Sequence, residues 1–93
     1  MRSRFSAFAR GDIPYLAATW HPSTRPPDLT LDPQVRWYRL DVLRTEHGGL
    51  LDPDGLVEFE ARYRSPDGHG SMHEVSRFVR DDGRWVYLDG IVA

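Results

Sequence analysis

The segment Val57-Glu58-Phe59-Glu60-Ala61-Arg62-Tyr63-Arg64 decides the fold, because its apolar and charged residues alternate without a break. Successive side chains of a β-strand point to opposite faces of the sheet, so this period of two predicts a strand. The odd-numbered residues supply an apolar face and the even-numbered residues a charged one. Such a strand is typical of an antiparallel sheet with one face in the core and the other in water.

Turn signals place three further strands around this one. A period of two also predicts a first strand over residues 37–43, followed by a long turn rich in Gly, Asp and Pro at 48–55. A third strand is predicted at about 70–80, and Asp81-Asp82-Gly83 predicts a tight hairpin. The last strand, residues 84–89, is apolar on both faces, which favours a central position in the sheet.

Apolar residues at helical spacing predict two helices ahead of the sheet. The first should end before Gly11, which is expected to take the left-handed conformation common just past a helix. Asp12 is expected to cap the second helix, and Pro22 should end it near His21 by excluding that residue from the helical region. The two apolar stripes are Met1, Phe5, Phe8 and Ala9, then Ile13, Leu16, Ala17 and Trp20.

Residues 22–33 contain four prolines and predict a stiff connector. Asp32-Pro33 offers a cap and a first helical residue, which predicts a third, single-turn helix at 33–37. Two to three helices followed by antiparallel strands predict one α+β domain over residues 1–93, with its helices on one face of an open sheet. The expected core joins Phe5, Phe8, Leu16 and Trp20 to Val57, Phe59, Phe78 and Tyr87.

Composition excludes several classes of protein. The net charge is −2, and nonspecific nucleic-acid binding requires several neutralised phosphates, so no nucleic-acid partner is expected. The absence of cysteine excludes disulfides and thiolate metal sites and agrees with a cytoplasmic protein. No run of about 18 apolar residues occurs, and we expect neither a membrane span nor a signal peptide.

Four motifs in order resemble the central domain of YchJ-like proteins, an uncharacterised bacterial family. They are RSRFSAF at 2–8, TWHP at 19–22, HEVSRF at 73–78 and RWVYLDG at 84–90. The resemblance implies a nuclear-transport-factor-2-like, cystatin-like cone, in which the helices pack on the concave face of a curved, mainly antiparallel four-stranded sheet. It also implies a pocket between helices and sheet. It implies no activity, because the family's own function is unsettled.

The resemblance also implies segments that these 93 residues lack. Typical members carry cysteine-rich, zinc-binding SEC-C segments at one or both ends, the first just before the motif that opens this chain. Here Met1 stands inside the first predicted helix. The chain therefore either begins inside a longer protein or belongs to a lineage without the zinc module. A role that depends on that module is not carried over.

Nine residues are candidates for a polar pocket or for structural hydrogen bonds. They are Arg4, Tyr15, Trp20, His21, His73, Glu74, Arg77, Tyr87 and Asp89. No phosphate-binding loop, HxH or HExxH spacing accompanies them, so no cofactor and no metal is expected. The arginines of the first helix are expected on its solvated face or in internal ion pairs.

His21 has two interpretations. An unperturbed histidine titrates near neutrality, so next to Trp20 at a pocket mouth it would suit general acid–base catalysis. The favoured interpretation is structural, a histidine that donates to the last carbonyls of the second helix.

Glu74 shares a predicted strand with His73 and Arg77 but points to the opposite face. If Phe78 lies in the core, Glu74 points toward the helices as well, where a carboxylate must be paired or take a raised pKa. It is either a pocket acid or base or, as we favour, the partner of Arg4 or Arg2 in a buried ion pair.

Asp89 is predicted to share a face with Trp85 and Tyr87. With Tyr15 or Tyr87 it would be placed to polarise a carbonyl. The resemblance implies this possibility, because some proteins of that fold use such a site for isomerase or dehydratase chemistry. The favoured interpretation of Asp89-Gly90 is a turn that caps backbone N–H groups.

Three hypotheses for function remain open. The first is a noncatalytic binding or accessory module for an unknown small molecule or protein. The second is a small pocket enzyme that uses general acid–base chemistry. The third is a homodimer formed around the last strand, since the charged face of residues 58–64 disfavours packing of the whole sheet.

Overall fold

Four long antiparallel strands form one open sheet in a computed structural model, which describes residues 1–92. They are β1 (Arg36–His47), β2 (Asp54–Ser65), β3 (Gly68–Asp81) and β4 (Arg84–Val92). Each strand pairs with its neighbour in the chain, in the order β1-β2-β3-β4. With two helices ahead of this sheet, the predicted α+β class is confirmed.

The central hairpin of β2 and β3 pairs without a bulge from Asp54↔Val79 to Ser65↔Gly68. Because the register is unbroken, the alternation read from residues 57–64 persists. Phe59 and Ala61 are each only 2% exposed on the inner face. The outer face carries salt bridges such as Arg44 Nε to Glu58 Oε1 at 3.0 Å, which mark a solvated surface.

Two helices precede the sheet, α1 (Arg2–Arg10) and α2 (Ile13–Ala18). Gly11 ends α1 with φ 69°, and its N–H reaches the carbonyls of Ala7 and Phe8. Asp12 caps α2, accepting a hydrogen bond from the backbone N–H of Tyr15 at 3.2 Å. Both predicted helix boundaries around residues 11–12 are present.

The second helix ends three residues earlier than predicted, at Ala18 rather than near His21. The reason is that residues 19–21 pair with β4 instead of continuing the helix. The N–H of Tyr87 donates to the carbonyl of Thr19 at 2.8 Å, and the N–H of His21 donates to the carbonyl of Tyr87 at 2.7 Å. Trp20 therefore sits in a parallel bridge with Tyr87.

The prediction of a third helix at 33–37 is wrong. Asp32 accepts at its side chain from the N–H of Gln34 and at its carbonyl from the N–H of Val35, which makes a single turn. β1 begins directly after this turn, at Arg36. A cap at Asp32 is thus not followed by helical hydrogen bonds, because the chain enters the sheet.

The prediction that the last strand is central is also wrong, since β4 lies at an edge of the sheet. Residues 19–21 form backbone hydrogen bonds with part of its free edge, and Val86 is 4% exposed. Beyond that pairing, Ile91 and Val92 are exposed.

The core is smaller than the predicted one. Leu16, Phe59 and Phe78 are buried as expected, at 0%, 2% and 9% exposure. Phe8 and Trp20 are only half-buried and line a cavity. No helix among residues 1–92 is long and apolar enough to cross a bilayer.

Candidate functional site

A cavity of about 220 Å³ lies between α1 and the inner face of the sheet. Side chains from α1, from the segment after α2 and from all four strands converge on it. Its apolar lining is Met1, Phe5, Phe8, Trp20, Trp37, Phe59, Ala61 and Met72. Its polar lining is Arg4, Glu74, Ser76 and Tyr87. We call this space the concave cavity.

Arg4 enters the concave cavity from α1 and is only 4% exposed. Its Nη1 donates to the carbonyls of Leu16 and Thr19 at 3.3 and 3.2 Å, and to Thr19 Oγ1 at 2.7 Å. These carbonyls lie at the C-terminal end of α2, where the negative end of the helix dipole favours a cation. The guanidinium therefore ties the two helices together. Arg2 and Arg10 are exposed, as expected for arginines of α1, whereas Arg4 is buried.

Aromatic rings surround the same guanidinium. Its central carbon lies 4.7 Å from the ring centroid of Tyr87, 5.0 Å from that of Trp20 and 5.9 Å from that of Phe8. Burial lowers the pKa of Arg4, and the nearby Tyr87, Tyr15 and Glu74 oppose that shift. Because an arginine starts from a very high pKa, the group stays charged.

Glu74 faces the concave cavity from β3. Its Oε2 accepts hydrogen bonds from Ser76 Oγ and, at 3.4 Å, from Tyr87 Oη. Burial, with the charge of Glu74 next in size, raises the pKa of Tyr87 to about 12, so the phenol is protonated and acts as a donor. A side chain at Gly90 would collide with the Glu74 carboxylate. Gly90 thus contributes space. The favoured interpretation of Asp89-Gly90 as a turn is wrong, because β4 continues through both residues to Val92 and pairs with β3 there.

The expected ion pair between Glu74 and Arg4 or Arg2 is wrong. Among residues 1–92 the salt bridges are formed by other side chains. Arg4 Nη1 donates to carbonyls at the end of α2, and Arg2 is exposed. Glu74 instead accepts hydrogen bonds from the hydroxyls of Ser76 and Tyr87.

Asp89 lies on the opposite face from Tyr87, so the predicted shared face is wrong. The register shifts between the pairs Arg77↔Asp89 and Phe78↔Tyr87, which inserts one extra residue in β4. A bulge of this kind reverses the alternation beyond it. Asp89 Oδ1 accepts from Arg77 Nε at 2.6 Å, and this contact lowers the pKa of Asp89.

The structure places three more candidates outside the concave cavity. His21 Nδ1 accepts from the backbone N–H of Ser23 at 3.1 Å, so neither the pocket-mouth nor the helix-carbonyl arrangement is present. His73 Nε2 lies 2.6 Å from a Glu58 carboxylate oxygen on the outer face. Tyr15 donates to Ser3 Oγ at 2.8 Å and joins the exposed sides of α1 and α2.

A family model described as the YchJ middle NTF2-like domain matches residues 1–90. The chain belongs to the YchJ family. UPF0225 proteins of Chromobacterium violaceum and Streptomyces coelicolor are each 53% identical to it, over 100% and 97% of this chain and 71% and 69% of their own length. The family is uncharacterised, so membership identifies the fold without a reaction or a ligand.

Two solved structures share this YchJ fold. A SEC-C motif containing protein from Rhodopseudomonas palustris aligns with a TM-score of 0.81 at 32% identity, over 98% of this chain and 73% of its own. One from Psychrobacter arcticus aligns with a TM-score of 0.74 at 29% identity, over 100% of this chain and 58% of its own. The chain thus corresponds to part of larger proteins.

Four of the nine candidates meet in the concave cavity of this YchJ domain, namely Arg4, Trp20, Glu74 and Tyr87. The cavity is also lined by Ser76, Trp37 and Met72, which were not among the nine candidates. Ser76 and Met72 are two residues from Glu74, and the period of two alone places them on its face. Trp37 opens the first strand and gave no comparable signal. Among residues 1–92, no group of three or more His, Cys, Asp or Glu side chains is placed to hold a metal.

Proposed function

We propose that this YchJ domain is a noncatalytic module that binds a small molecule in the concave cavity. The observation that carries the proposal is the lining, in which aromatic and aliphatic side chains surround a few polar groups. Small-molecule sites commonly combine an apolar wall with a few polar groups that fix orientation. An apolar cavity of about 150 Å³ suffices for benzene, so 220 Å³ suits a ligand built around one ring or a short branched chain.

The placement of the titratable groups supports binding over acid–base catalysis. Of the acid–base candidates His21, Glu74 and Asp89, Glu74 alone lines the concave cavity. Tyr87, with its pKa raised to about 12, is a hydrogen-bond donor at neutral pH rather than a base. One carboxylate and one protonated phenol are better suited to orienting a ligand than to moving protons in both directions.

A cavity-filling variant tests the proposal. Ala61 lines the concave cavity and is 2% exposed, so Ala61→Leu should occupy part of the space that a ligand needs. Benzyl alcohol serves as the probe, followed by its effect on the NMR signals of the Met72 methyl and the Trp37 indole N–H. We expect saturable shifts in the unmodified domain and at least a tenfold weaker affinity in Ala61→Leu.

The matched control is Ala9→Leu, the same substitution at an exposed position of α1. It should bind benzyl alcohol as the unmodified domain does. Equal binding by Ala61→Leu and Ala9→Leu would contradict the proposal, as would the absence of any shift at millimolar probe. Either result would favour a module that docks another protein through its surface.

A further inference from the structure

The two charged groups of the concave cavity each keep unused hydrogen-bonding capacity. All the side-chain hydrogen bonds of Arg4 leave from Nη1, so Nε and Nη2 have no protein acceptor. Both bonds to Glu74 end on Oε2, so Oε1 has no protein donor. Within residues 1–92, Trp20 Nε1 is the side-chain nitrogen or oxygen that is both inaccessible to solvent and without a hydrogen-bond partner. The free atoms of Arg4 and Glu74 therefore still reach open space, and both residues border the cavity.

A ligand with one charge would satisfy only one of these groups. A carboxylate placed on Arg4 would approach the negative charge of Glu74, and an ammonium placed on Glu74 would approach Arg4. Like charges held in a poorly solvated space are strongly disfavoured. The opposite charges of the two residues instead match a head group that offers an acceptor and a donor together.

Resting on the proposed function, we infer that the ligand is a small molecule of no net charge, with an apolar body and a polar end that carries both an acceptor for Arg4 and a donor for Glu74. A zwitterionic α-amino acid with an apolar side chain has this chemistry, and so does a primary amide. The zwitterion makes charge-assisted hydrogen bonds at both ends, which are roughly twice as strong as neutral ones. The apolar body lies against Phe8, Trp37 and Phe59.

Four probes that share a phenyl group separate the head groups. They are L-phenylalanine, 3-phenylpropanamide, 3-phenylpropanoate and 2-phenylethylamine, titrated at pH 7 with the NMR signals of Trp37 and Met72 as readout. A hydrogen bond to a charged group contributes about 1.5–3 kcal/mol, which corresponds to roughly tenfold or more in affinity. We expect phenylalanine to bind most tightly, the amide next, and each singly charged probe at least about tenfold more weakly than phenylalanine.

Glu74→Gln supplies an internal test with nearly unchanged shape, since the amide oxygen can still accept from Ser76 and Tyr87. In this variant phenylalanine should weaken by about tenfold, and 3-phenylpropanoate should bind more tightly than to the unmodified domain. Glu60→Gln is the matched control, because Glu60 lies on the outer face with Arg62. It makes the same change of charge and should leave the order of the four probes unaltered.

The inference is overturned if either singly charged probe binds as tightly as phenylalanine and the amide, whatever the variants show. It is also overturned if none of the four probes binds while benzyl alcohol does, a result that leaves the proposed function standing. Failure of benzyl alcohol together with all four probes overturns both. Should Glu74→Gln not fold, the ranking of the probes on the unmodified domain decides alone.

Discussion

Replacing Arg4 by methionine should strongly destabilise the domain. The variant keeps most of the aliphatic volume but removes the guanidinium, and with it the hydrogen bonds to the carbonyls of Leu16 and Thr19 and to Thr19 Oγ1. Hydrogen bonds from a charged donor contribute roughly 1.5–3 kcal/mol each. Three contacts share the single Nη1, so they count as about two full bonds, and removal of a buried charge returns part of the loss. We expect a net loss of about 3 kcal/mol in the free energy of unfolding.

The loss is measurable by urea and thermal unfolding followed by circular dichroism. For a domain of this length, each 1 kcal/mol shifts Tm by about 4–8 °C, so Arg4→Met should lower Tm by roughly 12–24 °C. Arg2→Met is the matched control on the same helix, because Arg2 is exposed, and it should stay within about 0.5 kcal/mol of the unmodified domain. If the two variants unfold at the same urea concentration, Arg4 does not hold the helices together as argued.

Two further predictions concern Glu74 and its neighbours. The pKa of Tyr87 is raised to about 12 in the folded state, against 10.0 in the unfolded chain. The stability that this group contributes is therefore present below pH 10 and is lost as pH rises toward 12. Tyr87→Phe should reduce the fall of the urea midpoint between pH 9.5 and 11.5, and an unchanged slope would contradict the assignment. Gly90→Ala should lower the free energy of unfolding by about 1–3 kcal/mol, because the added methyl group meets the Glu74 carboxylate. In a Glu74→Ala background the same change should have little effect, and simple additivity of the two losses would refute the clash.

The strands could be predicted from the sequence because their signal is local. The alternation of residues 57–64 is a property of neighbouring side chains, and the unbroken β2–β3 register preserves it. The ends of α1 and α2 at residues 11–12 are equally local, since a glycine and an aspartate supply the cap chemistry on the spot. The fold class follows from these elements in order.

The predictions that failed concern segments whose structure depends on residues far away in the chain. The second helix stops at Ala18 because residues 19–21 pair with Tyr87 of β4, far along the chain, and no local sequence signal predicts that pairing. The position of β4 in the sheet also depends on distant residues. It lies at an edge, and residues 19–21 pair with part of that edge, which the sequence pattern of a single strand does not show. Helical spacing placed Trp20 on an apolar stripe of α2, whereas its position is fixed by the bridge to Tyr87.

The location of the candidate site turns on a single inserted residue. A strict period of two places Tyr87 and Asp89 together, and the bulge in β4 separates them, leaving Tyr87 beside Glu74 and Asp89 beside Arg77. Because β3 is regular against β2, Glu74 and Arg77 stay on opposite faces as their spacing requires. Among the polar residues of the last two family motifs, Arg77 and Asp89 therefore form an outer ion pair, whereas Glu74 and Tyr87 face the concave cavity. This inner pair shares the concave cavity with Arg4, and this is the space in which we propose that a small molecule binds.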